Sequence, residues 1–231
     1  MRRPRRSTKT TTRGASVRVK SARGRKTSST RWLQRQLNDP YVVEAKRAGY
    51  RSRSAWKLCQ LDDQIRFLRS GSRILDLGAA PGGWTQVVVE RSGRRDAVIA
   101  VDILPMDPIT GANILQLDMT DAEAIGIILD EAGGKVDVVL SDMAAATTGH
   151  RQTDHIRTMA LCEIAADVAR EILVVGGVLI VKVFQGGAEG QLLADLKQSF
   201  EKVRHVKPAA SRKESPETYL VAEGFRKQQN C

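Results

Sequence analysis

The chain is 231 residues long and 42% hydrophobic, which suits one ordinary domain with an extension and excludes wholesale disorder. It carries 37 basic against 26 acidic side chains, a formal net charge of +11, and points to a polyanionic partner. No apolar run reaches the roughly 18–20 residues of a membrane span, the N-terminus lacks a secretory apolar stretch, and three cysteines without CxxC spacing exclude a disulfide framework and a zinc site, so a cytoplasmic protein is the simplest reading.

The charge is unevenly placed. Residues 1–31 hold 12 of the basic side chains and no acidic one, whereas residues 32–231 hold 25 basic against 26 acidic groups. Residues 1–30 therefore read as a disordered basic extension that meets ribosomal or messenger RNA, and residues 31–231 as the folded domain. A helical pattern runs from Leu33 to about Arg66, with Asn38-Asp39-Pro40 as a cap and first turn, Gly49 as a stop and Ser54 as a second start. Beyond Gly71 come short apolar runs at Arg73–Leu77, Ala97–Val101, Asn113–Leu117, Val136–Leu140 and Val178–Phe184. Runs this continuous suit parallel strands buried on both faces. Helical stretches are predicted between them at Gly83–Arg91, Asp121–Glu131, Thr153–Val174 and Ala188–Phe200, with a last apolar stretch at Thr218–Ala222. The alternation predicts a doubly wound, mostly parallel α/β sheet.

Ile74 to Trp84 reads as a strand entering the glycine-rich turn Gly78-Ala79-Ala80-Pro81-Gly82-Gly83 and then a helix. Glycines let backbone approach a ligand, and a helix N-terminus offers free N–H groups, so a nucleotide-like cofactor is implied. The dinucleotide fingerprint GxGxxG fails at Ala80, and the phosphate loop fails for want of a lysine after Gly83. Asp102, about 20 residues on, stands where an acidic side chain grips ribose hydroxyls. That pairing alone fits NAD as well as S-adenosylmethionine. Asp118, at the end of the third strand, admits two roles: an adenine contact, or a cap for the helix that follows.

Four segments and a terminal motif carry a resemblance. Arg51-Ser52-Arg53-Ser54-Ala55-Trp56-Lys57-Leu58, the Asp76–Trp84 turn, Ser141-Asp142-Met143-Ala144, Val181-Lys182-Val183-Phe184-Gln185-Gly186 and Ser215-Pro216-Glu217-Thr218-Tyr219 occur in this order. Together they resemble the FtsJ/RrmJ (RlmE-type) ribosomal RNA ribose 2′-O-methyltransferases, from about Arg31 to Phe225. The resemblance implies a Rossmann-like seven-stranded sheet of the methyltransferase type, with S-adenosyl-L-methionine as cofactor. It implies a catalytic tetrad of Lys57, Asp142, Lys182 and Glu217, and cofactor contacts at Gly82, Trp84, Asp102, Asp118 and Asp142. The implied reaction is 2′-O-methylation of a uridine in 23S rRNA, free or in the assembled large subunit, by a monomer without a metal. Relatives often read Asp-Met-Ala-Pro where this chain has Asp142-Met143-Ala144-Ala145, which puts the shape of the target-admitting loop in doubt.

The tetrad suits methyl transfer to an alcohol, which requires alignment of the acceptor and removal of its proton. A lysine accepts a proton only when neutral, and its reference pKa is about 10.4, so Lys57 is read as the like charge and the strand-borne Lys182 as the base. Lys182 interrupts an apolar strand, where a lysine without a task is costly. Asp142 and Glu217 then hold the two lysines. Arg51, Arg53, Arg212 and Lys213 flank the tetrad and are read as phosphate grips; His150 and His155 lack a third ligand and are read as non-metal residues. The rival functions are a transfer RNA or messenger RNA cap 2′-O-methyltransferase, a non-catalytic RNA-binding ribosome assembly factor and, weakest, an NAD oxidoreductase.

Overall fold

Each apolar run read as a strand forms one. In a computed structural model, which describes residues 27–93, 97–145, 148–185 and 189–226, the strands are β1 (Ile74–Leu77), β2 (Val98–Asp102), β3 (Ala112–Gln116), β4 (Val136–Ser141), β5 (Leu173–Phe184), β6 (Phe200–Val206) and β7 (Glu217–Phe225). They make one sheet of order β3-β2-β1-β4-β5-β7-β6. β1 to β5 pair in parallel, and β7 runs antiparallel between β5 and β6. The doubly wound architecture expected from the alternating pattern is thus present.

The helices are α1 (Thr27–Leu37), α2 (Pro40–Ala48), α3 (Ala55–Ile65), α4 (Gly83–Ser92), α5 (Ala124–Ala132), α6 (Arg151–Ile172) and α7 (Glu189–Ser199). Period-2 alternation along the strands divides the core between two helix layers. Leu75, Leu77, Ile99 and Val101 face Ile128, Ala165, Ala169 and Ile172 of α5 and α6. Ile74, Val98, Leu140 and Ile180 face Leu58, Leu61, Trp84 and Val87 of α3 and α4. No helix among the described residues is long and apolar enough to cross a membrane.

The Asn38–Pro40 signal works as its chemistry predicts. Asp39 accepts the Tyr41 N–H at 3.1 Å, Pro40 opens the first turn, and Gly49 closes α2 at φ 82°. Ser54 precedes α3 but makes no capping bond; its Oγ instead meets Ser52 Oγ at 2.6 Å. Two boundaries differ from the sequence reading. The stretch read as one helix over Thr153–Val174 becomes strand at Leu173, and β4 slips register beside Gly176, which sits at φ 83°. The strand β6 takes Phe200 from the end of the helix predicted over Ala188–Phe200. The basic extension over residues 1–26 lies outside the described residues, and α1 begins at Thr27, ahead of the boundary read from charge.

Candidate active site

Four residues singled out in the sequence meet at the carboxyl edge of the sheet: Gly78 after β1, Asp102 closing β2, Asp118 after β3 and Asp142 after β4. They line a cleft of about 610 Å³ whose remaining wall is largely apolar, with Ile103, Leu117, Met143 and, from α6, Leu161 and Ile164. That volume suits a ligand of nucleoside size, and open α/β sheets bind ligands at this edge. Gly78 is obligatory here: at φ 73° a Cβ would lie 2.8 Å from Met143 Cα and 2.9 Å from Met143 N, both backbone.

The two outer carboxylates are held differently. Asp102 Oδ2 accepts the Ala80 N–H at 2.9 Å and Oδ1 the Leu104 N–H at 2.8 Å, so it ties the glycine turn to the loop after β2. Asp118 Oδ1 accepts the Thr120 N–H at 2.9 Å and its hydroxyl at 2.7 Å. Those bonds hold the Asp118 carboxyl below the usual carboxylate range. Asp118 does not cap α5, which starts at Ala124 behind Glu123; the cap alternative is corrected to a local turn on Thr120 facing the cleft.

Gly82 and Trp84 lie on the other side of the glycine turn. The Trp84 side chain is 2% exposed, packs on Tyr219 with ring centroids 5.6 Å apart, and donates its Nε1–H to Ser54 O at 2.9 Å. A Cβ at Gly82 would meet Ile109 Cδ1 at 2.6 Å and Arg51 Nη1 at 3.0 Å. Both positions therefore serve packing against the segment that leads into α3. Neither Gly82 nor Trp84 is among the residues that line the cleft.

The tetrad assembles as two ammonium–carboxylate pairs. Lys57 Nζ lies 2.7 Å from Glu217 Oε1 and 2.8 Å from Oε2, bridging the first turn of α3 to the start of β7. Lys182 Nζ lies 3.0 Å from Asp142 Oδ1 and donates to the Asp142 main-chain carbonyl at 2.5 Å. Both lysines are buried at their residue level, with 6% exposure each. Ser211 Oγ donates to Glu217 Oε1 at 2.7 Å and fixes the outer carboxylate.

Between the pairs stands Tyr219, which the sequence reading quoted in a motif without assigning it a task. It opposes Lys182 in the β5–β7 register, donates its hydroxyl to Asp142 Oδ1 at 2.9 Å, and has Lys57 Nζ 5.8 Å from its ring centroid. The spacing held the signal: Glu217 and Tyr219 are two apart on one strand and share a face. Burial, then the Asp142 and Glu217 charges, push the Tyr219 phenol well above its ordinary value, so it remains a donor. Burial also works against ionising Asp142, but the Lys182 and Lys57 charges and the bonds from Lys182 and Tyr219 outweigh it and hold this carboxyl below its ordinary range.

Beneath the turn, Asp76 was quoted in the sequence only as part of the motif. It is fully buried, accepts the Thr85 hydroxyl at 2.7 Å on Oδ2, and has no partner for Oδ1 among the described residues. Burial first, opposed by the Thr85 bond and reinforced by Asp142 and Asp102, pushes it up to about 7.

The three arginines read as phosphate grips each have protein partners. Arg53 Nε pairs with Asp39 Oδ2 at 2.9 Å, and Arg212 Nη2 reaches the same oxygen at 3.4 Å. Arg51 Nη1 donates to Pro81 O at 3.1 Å and Asp107 O at 2.8 Å, and Nη2 to Pro108 O at 2.8 Å. Backbone carbonyls and a buried carboxylate compete with phosphate for these donors; only Lys213 of the four is exposed. Among the described residues no group of three or more His, Cys, Asp or Glu side chains could hold a metal ion.

Residues 50–225 match the FtsJ-like methyltransferase family. The chain is 57% identical over 224 residues to the Ribosomal RNA large subunit methyltransferase E of Parvibaculum lavamentivorans, covering 93% of this chain and 88% of that one. It is 56% identical to the protein of the same description from Azorhizobium caulinodans, covering 91% and 89%. Among solved structures, a Plasmodium falciparum protein described as a ribosomal RNA methyltransferase superposes with a TM-score of 0.69 at 32% identity, over 76% of this chain and 98% of that one. A fibrillarin/Nop5p complex matches at 17% identity and a TM-score of 0.51 over 74% and 83%, which shows the shared fold alone. By the extent of that match and the identity of those relatives, the chain belongs to the FtsJ-like methyltransferase family.

Proposed function

We propose that this methyltransferase uses S-adenosyl-L-methionine to methylate the 2′-hydroxyl of a uridine ribose in 23S rRNA of the large ribosomal subunit, working as a monomer in the cytoplasm. The observation that carries the reading is the meeting of two buried lysine–carboxylate pairs over Tyr219 at the edge of a nucleoside-sized cleft. The relatives' description supplies the RNA.

The residues of the cleft fit the cofactor. Asp102 faces it with a carboxylate whose second lone pairs suit ribose hydroxyls, and Asp118, kept ionised, suits an adenine amine or hydroxyl. Ile103, Leu117 and Leu161 provide apolar wall for a base. Asp142, ionised and lining the cleft, suits a cationic centre. The bound cofactor supplies an electrophilic methyl group.

The chain's own work is then proton removal and alignment. Asp142 fixes the Lys182 amine through two oxygens, so its nitrogen is aimed by the strand and not by solvent. In neutral form Lys182 accepts the proton of the ribose hydroxyl. Glu217, braced by Ser211, holds Lys57 beside this centre, where its positive charge favours the developing alkoxide. Burial of both lysines keeps competing water away.

Single-turnover methylation of purified large subunits from cells lacking the enzyme, at saturating cofactor across pH, tests the assignment. Lys182→Ala should lower the rate by about 10²–10⁴ with cofactor affinity retained. Lys182→Arg should do no better, since guanidinium does not give up its proton. An arginine variant near the parental rate would remove Lys182 as base. Transfer to transfer RNA or capped transcript in preference to subunits would overturn the substrate.

A further inference from the structure

The glycine turn has two faces. One lines the cleft through Gly78 and Ala80, and the other carries the segment Gly49–Ser54, which leads directly into the helix that bears Lys57. That second face is closely docked. The Arg51 N–H donates to Gln86 Oε1 at 2.7 Å, Gln86 Nε2 donates to Gly49 O at 3.0 Å, and Trp84 Nε1 donates to Ser54 O at 2.9 Å. Gly82 and Gly83 make room for it; a Cβ at Gly83 would fall 2.1 Å from Ser52 Oγ.

Arg51 is the residue that spans the two binding regions. Its guanidinium donates to Pro81 O of the glycine turn and to Asp107 O and Pro108 O of the loop after β2, whose start, Ile103 and Leu104, lines the cleft. Three backbone carbonyls from two separate loops are thus gathered by one side chain, six positions before Lys57. Carbonyls are the right partners for a device that must stay put: they cannot titrate, and the rigid fork of arginine meets several at fixed angles where lysine offers a point charge. Arg51 therefore ties both loops to the segment that leads into α3.

We propose that Arg51 is a positioning residue that couples the cofactor cleft to the acceptor site, so that a loaded cleft and a properly placed Lys57 favour each other. The proposal rests on the reading that the cleft holds S-adenosylmethionine. Because coupling between sites is reciprocal, bound cofactor or its product should tighten RNA, and bound RNA should tighten cofactor by the same factor. Arg51 is not among the residues that line the cleft.

The test measures binding of unmethylated large subunits with and without saturating S-adenosylhomocysteine. In the parent protein the nucleoside should tighten subunit binding by about fivefold or more, within the usual span of such couplings. In Arg51→Lys and Arg51→Met the enhancement should shrink to less than about twofold, while each ligand alone still binds. A merely structural role would weaken both affinities and leave their ratio intact, which would overturn the proposal. So would a parent protein that binds both ligands with no enhancement. Should the variants fail to fold, hydrogen exchange of the parent protein decides: S-adenosylhomocysteine should slow exchange at residues 50–57, outside the cleft lining, and unchanged exchange there would refute the coupling. Failure of the parent protein to bind S-adenosylhomocysteine at all would instead overturn the cofactor reading, and the coupling with it.

Discussion

Tyr219 and Lys182 converge on one oxygen of Asp142, so the tyrosine hydroxyl sets where that carboxylate sits. Tyr219→Phe keeps the ring against Trp84 and removes only the donor. A hydrogen bond to a charged group contributes about 1.5–3 kcal/mol, so if half or more of it is expressed at the transition state the rate should fall by roughly tenfold. Cofactor affinity measured by calorimetry should hold, and an unchanged single-turnover rate would make Tyr219 a packing residue only. Asp76 gives a prediction on stability. Its carboxyl, raised to about 7 by burial, keeps a proton in the folded chain where the unfolded chain, near pKa 4, has lost it. The native state binds more protons between those values, so this contribution to stability is present at low pH and is lost as pH rises from about 4 to about 7. Asp76→Asn retains an acceptor for Thr85 and cannot ionise. Its advantage over the parent in thermal unfolding should therefore be larger at pH 8 than at pH 5; a gap independent of pH would exonerate Asp76.

At the level of elements, the glycine turn is constrained from above and below. Gly78→Ala would place a methyl against the backbone of Met143 in a left-handed conformation that alone costs an L-residue about 1–2 kcal/mol. The backbone cannot yield as a side-chain tip can, so both melting temperature and cofactor affinity should drop, and a variant with parental values would show that the β4 loop moves freely. The strands that carry this turn were legible because β1, β2 and β4 are buried on both faces and read as continuous apolar runs. Strand β6 was not, since Phe200-Glu201-Lys202-Val203-Arg204-His205-Val206 is an edge strand with charged residues facing solvent, and its first residue continues the apolar spacing of α7. The patterns placed Lys57 on a helix, Asp142 at a strand end and Lys182 in a strand, and left Glu217 one residue ahead of the strand it opens, but spacing says nothing about which lysine meets which carboxylate. Lys57 and Glu217 are 160 positions apart, and only the sheet order brings them within 2.8 Å. The three carbonyls that Arg51 meets were hidden for a related reason: they belong to loops 30 to 57 positions away, which spacing alone does not bring together.

For the whole molecule, the excess of basic charge and the cleft lie apart along the chain. The cleft and tetrad lie within residues 57–217, while 12 of the basic side chains lie in residues 1–31. A chain starting at Thr27, where α1 begins, should bind S-adenosylmethionine like the parent. Its affinity for large subunits should fall, with a shallower dependence on salt because fewer phosphates are neutralised. Equal salt slopes for the two proteins would deny the extension an RNA contact.

The position of β7 has a consequence for how the enzyme is made. It is the last of the described strands in chain order, yet it occupies an inner place between β5 and β6 and brings both Glu217 and Tyr219 to the site. Until it emerges from the ribosome, β5 and β6 each present an unpaired edge, the kind of surface that invites pairing with another nascent chain. The tetrad is incomplete at that stage, because Lys57 lacks its carboxylate, and Asp142 lacks the Tyr219 phenol. A chain arrested before residue 217 should therefore be both inert and prone to aggregate, so synthesis through β7 is a precondition for solubility as much as for activity.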